Sequence, residues 1–284
     1  MDDKSHSANR WKNPLFAKSA GARKVAHSLL LGEKLRRKSA SGWALGTFLI
    51  ELPTPASLST IAIAGFDFVV IDMEHSSVDF STLEPLILAA HAAGLPALVR
   101  TWGEDAGLIG KVLDLGAHGI MAPHVDTPER ARAIVEQARF SPLGHRGFSP
   151  LTKYDALSEP LRALGKSTYV VVQIEGRKAL ERVSRIASVP GIDAVFVGPY
   201  DLALSLGVPP GSPRVFSAAE RIAKDAPPGI ALGIYIDDPA KCGAWATRRF
   251  ALQCVSFDGR MLSNGARSVV ERARLGMTKR RAGK

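Results

Sequence analysis

Short apolar segments alternate with longer amphipathic stretches along most of this chain. Continuous apolar runs rich in β-branched residues are typical of strands in a parallel sheet, and Ala- and Leu-rich stretches with helical periodicity are typical of the helices that cover it. The pattern predicts strands at 44–50, 68–73, 96–101, 119–123, 169–175, 194–198, 231–236 and 252–257. Eight such units within roughly 250 residues are expected of an α/β (β/α)₈ TIM barrel.

Helical stretches follow most of these strands. They are predicted at 55–64, 81–93, 105–115, 127–140, 177–188, 218–225 and 239–248. Ser81 and Asp126 are expected to cap two of them, because a short polar side chain can accept the first free amides of a helix. A doubly wound sheet is the competing architecture, but it usually carries a glycine-rich phosphate loop after its first strand, and this sequence has none.

The net charge of +10 is concentrated at the two ends of the chain. Residues 1–42 contribute +7 and residues 272–284 contribute +6, which leaves about −3 for the body. We therefore predict a basic N-terminal extension with a leading helix (1–42), a barrel (43–271) and a basic C-terminal tail (272–284). The tails lack interleaved aromatic residues or a known binding motif, so a nucleic-acid partner is not expected.

Neither a membrane nor an oxidising compartment is indicated by the sequence. No apolar run approaches the roughly 20 residues needed to cross a bilayer, and no signal-peptide core follows the N-terminus. Cys242 and Cys254, the two cysteines of the sequence, both lie beside apolar stretches. This arrangement favours reduced, packed thiols over a disulfide framework and predicts a cytoplasmic location.

Polar residues interrupt the apolar runs where several predicted strands end. Active sites of TIM barrels form at these carboxyl ends, and an ionisable group there must be paired, metal-bound or solvated. These residues are Asp72, Glu74, His75, Arg100, Gln173, Glu175 and Asp201. Several such groups converging on one rim are best explained by a site.

Glu175 and Asp201 offer two hard oxygen ligands on neighbouring strands, which suits Mg²⁺ or Mn²⁺ completed by water and an oxygen-rich substrate. The alternative for this pair is helix capping or a salt bridge with Arg177 or Arg182. Arg100 could grip a carboxylate or a developing enolate. Its alternative role is an ion pair with neighbouring acids such as Asp72.

His75 follows Glu74 and could act as an acid or base oriented by a carboxylate, although a lone histidine is more often structural. Gly198 precedes what looks like a helix, whose first amides could receive a substrate carboxylate. The structural interpretation is favoured for His91, His118, His124 and His145.

Seven segments of the sequence together resemble one known family. They are 64–75 (AGFDFVVIDMEH), 98–100 (LVR), 112–117 (VLDLGA), 119–123 (GIMAP), 142–147 (PLGHRG), 173–175 (QIE) and 197–202 (VGPYDL). Their order and spacing resemble the class II pyruvate aldolases of the HpcH/HpaI group, which act on 4-hydroxy-2-oxo acids and belong to the phosphoenolpyruvate/pyruvate barrel superfamily.

This resemblance implies a role for each matching residue. Glu175 and Asp201 would hold the metal, and Arg100 would contact the pyruvate oxygen. His75 would be the acid/base, supported by Asp72 and paired with Asp114 of a neighbouring subunit. The substrate pocket would be lined by Gln173, Tyr200 and Gly198. The resemblance also implies a hexamer with an exchanged C-terminal helix.

Three segments depart from the family pattern. Tyr200 replaces a smaller residue and predicts a narrower pocket beside the metal. Ser76 and Ser77 replace a small residue and a proline after His75, and 254–258 (CVSFD) lacks the usual Gly-Ser-Asp. These departures predict an unusual substrate preference.

The predicted function is therefore that of a metal-dependent aldolase, a carbon–carbon lyase that reversibly cleaves a 4-hydroxy-2-oxo acid to pyruvate and an aldehyde through a metal-stabilised enolate. The lysines of the body lie in predicted helices or loops, which argues against imine chemistry. Two alternatives remain: a coenzyme A thioester lyase of the citrate-lyase type, and a non-catalytic barrel that binds acidic partners through its tails.

Overall fold

The computed structural model describes residues 31–103, 107–147 and 167–282, with side chains described as far as residue 277. Eight parallel strands form a closed barrel in which each strand pairs with the next and β8 pairs with β1. The strands are β1 (Ala44–Leu49), β2 (Phe68–Asp72), β3 (Ala97–Arg100), β4 (Gly119–Ala122), β5 (Tyr169–Ile174), β6 (Ala194–Val197), β7 (Ala231–Ile236) and β8 (Phe250–Phe257). The predicted TIM barrel is confirmed; β8 begins two residues earlier than predicted, and β3 is one residue shorter at each end.

Helices cover the outside of this barrel. They are α1 (Leu31–Ser41), α2 (Pro55–Ile63), α3 (Phe80–Ala92), α4 (Gly107–Asp114), α5 (Pro128–Ala138), α6 (Arg177–Leu180), α7 (Val183–Ala187), α8 (Pro199–Leu206), α9 (Pro213–Asp225), α10 (Cys242–Ala246, after a 3₁₀ turn at Pro239–Lys241) and α11 (Asp258–Ala282). The single helices expected at 177–188 and 239–248 are each divided in two. The predicted start of α4 lies outside the described residues, as does most of the chain between α5 and β5.

Two predicted helix caps are wrong. Asp79, not Ser81, caps α3, because its carboxylate accepts the Thr82 amide at 2.8 Å and the helix begins at residue 80. Thr127, not Asp126, caps α5 and leaves a proline at the first helical position, where a missing N–H costs nothing. The capping residue lies two positions before the predicted one in α3 and one position after it in α5.

Side chains alternate along each strand between the helix layer and the barrel interior. Phe48, Phe68, Leu98, Tyr169 and Phe196 all belong to the interior cluster. Large rings fit there because glycine faces some of them: a Cβ on Gly233 would lie 2.4 Å from the Phe196 ring. Every second side chain of a strand points to the same face. Polar residues that continue the inward-facing positions past the apolar interior therefore project into the carboxyl-terminal end of the barrel, here called the mouth.

The opposite, amino-terminal end of the barrel is closed by α1. Leu35 is buried there, and Arg36 bonds to Asp193 at 2.9 Å. Arg139 reaches the same carboxylate at 2.6 Å and also donates to the carbonyls of Thr168 and Gly191. The leading helix therefore packs against the barrel as part of its structure.

The last helix, α11, packs little of its surface on its own chain. Leu262, Val269, Val270, Leu275 and Met277 are all exposed on it. Across the described residues, no helix is both long enough and apolar enough to cross a membrane. The two cysteines are free thiols, with Cys254 buried in the barrel interior.

Candidate active site

Arg100 at the end of β3 lies against the acidic residues that follow β2. Its guanidinium donates to both oxygens of Asp72, at 2.9 and 2.6 Å, and lies 3.4 Å from Glu74. Burial alone would lower the pKa of Arg100, but the hydrogen bond to Asp72 and the charges of Asp72, Glu74 and Glu175 outweigh burial and raise it. The ion pair considered as an alternative therefore exists, and it fixes a permanent cation in the mouth.

Glu175 is the most deeply buried carboxylate of the group, with 2% of its surface exposed. Its Oε1 accepts the backbone amide of His124 at 2.7 Å, and its Oε2 accepts the side-chain amide of Gln173 at 3.1 Å. Burial, together with the nearby charges of Asp201 and Glu74, raises the pKa of Glu175 to about 7, against the opposing effects of the His124 hydrogen bond and the His124 charge. Such a carboxylate is stabilised by any cation that reaches it.

Gly198 leaves the room that Glu175 occupies. A Cβ on Gly198 would lie 2.3 Å from Glu175 Oε2. The glycine also caps α8 without a side chain, so the first N–H groups of that helix, which follow Pro199, have no capping side chain from this position. Asp201 lies in the first turn of α8, half-buried. The guanidinium groups of Arg177 and Arg182 donate to the backbone carbonyls of Ser205 and Asp126, so neither takes the salt bridge considered for the acidic pair.

His124 was assigned a structural role from the sequence, but it lies between two acids of the site. Its Nδ1 is 3.1 Å from Glu175 and its Nε2 is 3.3 Å from Glu74, while most of the ring is exposed. The backbone at His124 is left-handed, with φ of 53°, which is uncommon for a side chain with a Cβ. Local strain of this kind is frequent in active sites, but the sequence gives no signal for it.

His75 is exposed beside Glu74, with its Nε2 3.8 Å from that carboxylate. Asp72, expected to support it, is instead bonded to Arg100 and to the Glu74 amide at 2.9 Å. Asp114 lies at the end of α4 and accepts a 2.8 Å hydrogen bond from Arg146 of the same chain. A single chain therefore leaves His75 accessible to a partner from outside.

Two of the unusual segments also have local roles. Ser76 donates to the carbonyl of Asp72 and accepts the Val78 amide at 3.1 Å, so it fixes the turn that carries His75. Asp258 accepts the amides of Ile50, Glu51 and Leu52, at distances from 2.6 to 3.2 Å, and thereby holds the loop after β1 at the rim of the mouth.

A second group of polar side chains stands at the ends of β6, β7 and β8, and among its members the sequence predicted a site role for Tyr200 alone. The Tyr200 hydroxyl donates to Asp237 at 2.7 Å, Arg260 pairs with the other oxygen of Asp237, and Arg260 also reaches the Tyr235 hydroxyl at 3.3 Å. Tyr235 and Asp237 continue the inward alternation of β7, which is the signal that could have revealed them.

The carboxylate oxygens of Glu175 and Asp201 fit a hard divalent cation whose remaining ligands are water and substrate oxygens. Among the residues that the structure describes, no three His, Cys, Asp or Glu side chains are grouped as a complete metal site would need. Glu175 and Asp201 supply two oxygens, and Glu175 is buried with excess negative charge around it. Mg²⁺ and Mn²⁺ accept such partial protein ligation together with water and substrate oxygens.

Comparison with known proteins agrees with this architecture. The profile of the family described as HpcH/HpaI aldolase/citrate lyase matches residues 45–265. A hydroxypyruvate/pyruvate aldolase from Rhizorhabdus wittichii is 34% identical over 84% of this chain and 95% of its own length. A 2-dehydro-3,6-dideoxy-6-sulfogluconate aldolase from Pseudomonas putida is 31% identical over 83% of this chain and 93% of its own.

Among solved structures, an HpcH/HpaI aldolase from Desulfitobacterium hafniense superposes with a TM-score of 0.78 at 30% identity, over 84% of this chain and 96% of that protein. The chain belongs to the HpcH/HpaI aldolase/citrate lyase family. The predicted family is thereby confirmed, and with it the class of enzyme, a carbon–carbon lyase.

Proposed function

We propose that this protein is a divalent-metal-dependent aldolase that reversibly cleaves a 4-hydroxy-2-oxo acid to pyruvate and an aldehyde. The observation that carries the proposal is the buried carboxylate of Glu175. It accepts hydrogen bonds from two neutral amides and lies 3.1 Å from His124 Nδ1, while Asp201 and Glu74 add negative charge beside it. A buried anion in such surroundings costs several kcal/mol unless a cation compensates it, which is what a metal site provides.

In this proposal Glu175 and Asp201 hold Mg²⁺ or Mn²⁺. When bound, the cation supplies Lewis-acid polarisation of the 2-oxo acid. Gln173 orients the Glu175 carboxylate by donating to its Oε2. Gly198 contributes the open space beside that carboxylate and the free amides of the α8 N-terminus, where a substrate carboxylate is stabilised.

Proton movement is assigned to His75. In the cleavage direction His75 removes the proton of the C4 hydroxyl, the C3–C4 bond breaks, and its electrons pass into the enolate of pyruvate while C4 becomes the aldehyde carbonyl. Arg100, held in place by Asp72, stabilises the developing negative charge on the enolate oxygen. Protonation of the enolate at C3 then gives pyruvate.

We also propose that the enzyme is a homo-oligomer in which α11 of one chain covers a neighbour. A groove of about 650 Å³ runs along the outside of the barrel between β1, β8 and α10. Its lining is mostly apolar and includes Trp43, Phe66, Ala246 and Val255. α11 begins beside this groove with its apolar residues exposed, so exchange would cover both surfaces. In such an assembly Asp114 of one subunit could meet His75 of another.

We also propose how the chain is divided and where the protein is located. Residues 43–271 would form the catalytic barrel, flanked by the basic segments 1–42, which include the packed helix α1, and 272–284, which include the end of α11. Two free thiols, one of them buried, suit a reducing compartment such as the cytoplasm.

The test is an assay after metal removal. Protein treated with a chelator and desalted is assayed for pyruvate release from 4-hydroxy-2-oxopentanoate and for exchange of the pyruvate methyl protons with D₂O, and Mn²⁺ or Mg²⁺ is then added back. We expect both activities to disappear on chelation and to return with metal. Full activity in metal-free protein, or inactivity with every metal tested, would contradict the proposal.

A further inference from the structure

The network of Tyr200, Asp237 and Arg260 lies directly beside the proposed metal ligands. Tyr200 precedes Asp201 in the sequence, and its ring lies 5.9 Å from that of Tyr235. Tyr235 in turn contacts Phe48 at 6.0 Å, and Arg100 lies 5.0 Å from the Phe48 ring. An aromatic wall thus runs from the pyruvate-binding arginine to this network.

The network of Tyr200, Asp237 and Arg260 offers hydrogen-bond donors and acceptors and carries no net charge. Asp237 accepts from the Tyr200 hydroxyl and from Arg260, so the carboxylate and the guanidinium neutralise each other. All three side chains are at least one-third exposed, with 43% of Tyr200 accessible, and a ligand in the mouth can reach them. Hydroxyl groups, which both donate and accept hydrogen bonds, are suited to such a surface.

The wider charge balance of the mouth disfavours an anion at this point. Apart from Asp258, whose carboxylate accepts three backbone amides at the rim, five carboxylates face two guanidinium groups among the described residues of the mouth, which leaves three negative charges when histidines are counted as neutral. They are Asp72, Glu74, Glu175, Asp201 and Asp237 against Arg100 and Arg260. One divalent cation and one pyruvate carboxylate would reduce the excess to two negative charges. An aldehyde that carries its own carboxylate would enter against this field.

We propose that Tyr200, Asp237 and Arg260 form the aldehyde subsite and select an uncharged hydroxy-aldehyde over an anionic one. The proposal rests on the proposed aldolase function, because it assigns the second substrate of that reaction. Tyr200 narrows the space beside the metal ligands, and its tether to Asp237 holds the ring in place. The aldehyde hydroxyl then takes its hydrogen bonds from the neutral network.

Glycolaldehyde and glyoxylate are suitable probes, because they have the same chain length and differ in a hydroxymethyl group against a carboxylate. The Mn²⁺-loaded full-length protein is assayed with pyruvate and each aldehyde, and the ratio of the two kcat/KM values is measured. Exchange of pyruvate methyl protons, measured without any aldehyde, reports on the proposed function separately. We expect exchange to occur and glycolaldehyde to be preferred.

Two variants with opposite expected effects sharpen the test. Asp237→Asn removes a negative charge and releases Arg260, so the preference for glycolaldehyde should fall roughly tenfold. Arg260→Gln leaves Asp237 without its cation, so the preference should rise by a similar factor. Asp225→Asn is the matched control, because it removes an exposed carboxylate on α9 that is paired with Arg221 away from the mouth. It should change the ratio less than twofold.

The outcomes separate the two proposals. Loss of pyruvate exchange in the metal-loaded protein would overturn the aldolase function and the aldehyde subsite with it. Normal exchange combined with a preference for glyoxylate would overturn the subsite alone. The subsite would also be overturned if Asp237→Asn shifted the ratio no more than Asp225→Asn does.

Discussion

The two ends of the barrel use buried charge in different ways. At the amino-terminal end, the carboxylate of Asp193 is bonded to Arg36, Arg139 and the Val170 amide, and Arg139 fills its other donors with backbone carbonyls. At the mouth, carboxylates outnumber guanidinium groups, and buried Glu175 is bonded only to amides and a histidine among its described contacts. Complete pairing stabilises a fold, whereas an unbalanced excess of acid at a strand end prepares a site for a cation.

The largest effect expected from this comparison is on catalysis at the mouth. Glu175→Gln preserves the size of the side chain but removes a ligand charge, so aldol cleavage should fall by roughly 10³-fold or more. The melting temperature of the metal-free protein should not fall, because the buried negative charge is removed. Glu181→Gln, on an exposed position after α6, is the control and should retain activity. Equal loss in both variants, or none in either, would contradict the assignment.

A second prediction separates proton transfer from metal binding. His75→Ala should slow cleavage by roughly 10²–10⁴-fold, the usual contribution of a positioned acid/base. His75 is exposed, and its ion-pair contact is with Glu74, not with the proposed metal ligands Glu175 and Asp201. The affinity for Mn²⁺ should therefore stay nearly unchanged. Steady-state assays and metal titration on the same preparation measure both. A variant that turns over normally, or that loses its metal as Glu175→Gln is expected to, would require a different acid/base.

At the amino-terminal end the same kind of change should affect stability instead of activity. Arg139→Gln leaves Asp193 with one fewer cation in a buried position and should lower the free energy of unfolding by about 3 kcal/mol. This corresponds to a fall in Tm of roughly 6–12 °C. Arg132→Gln on the same helix breaks only an exposed pair with Glu129 and should cost less than about 1 kcal/mol. A large loss of kcat in folded Arg139→Gln protein would contradict the assignment of stability to the amino-terminal end and of catalysis to the mouth.

The smallest expected effect concerns the N-terminal cap of α3, the helix that follows β2. Hydrogen bonds from the Thr82 amide and from Ser81 lower the pKa of Asp79 to about 2. A carboxylate with a depressed folded-state pKa stabilises the protein above its unfolded pKa, near 4, and loses this contribution as the pH falls toward 2. Asp79→Ala should lower Tm slightly at pH 7, and its difference from wild type should shrink below pH 4. Melting curves across this range measure the change, and a constant difference would contradict the role of the charge.

Much of the fold could be predicted from the sequence, because parallel strands buried on both faces leave a strong hydrophobic pattern. The same alternation predicts that Asp72, Arg100 and Glu175 share the mouth. Contacts that depend on distant parts of the chain could not be predicted: Arg260 meets Asp237 only because α11 begins where β7 ends in space. The left-handed backbone of His124 likewise depends on the Glu175 carboxylate that accepts its amide.

We propose that the excess of carboxylates in the mouth binds a divalent cation. Direct titration of the protein with Mn²⁺ tests this proposal. Binding is followed by the paramagnetic resonance of free Mn²⁺ in wild type, Glu175→Gln and Glu181→Gln protein, without any substrate. We predict one saturable site per chain in wild type and in Glu181→Gln, and an affinity at least about tenfold weaker in Glu175→Gln. The account would be contradicted if wild type bound no Mn²⁺, or if Glu175→Gln bound it as tightly as wild type.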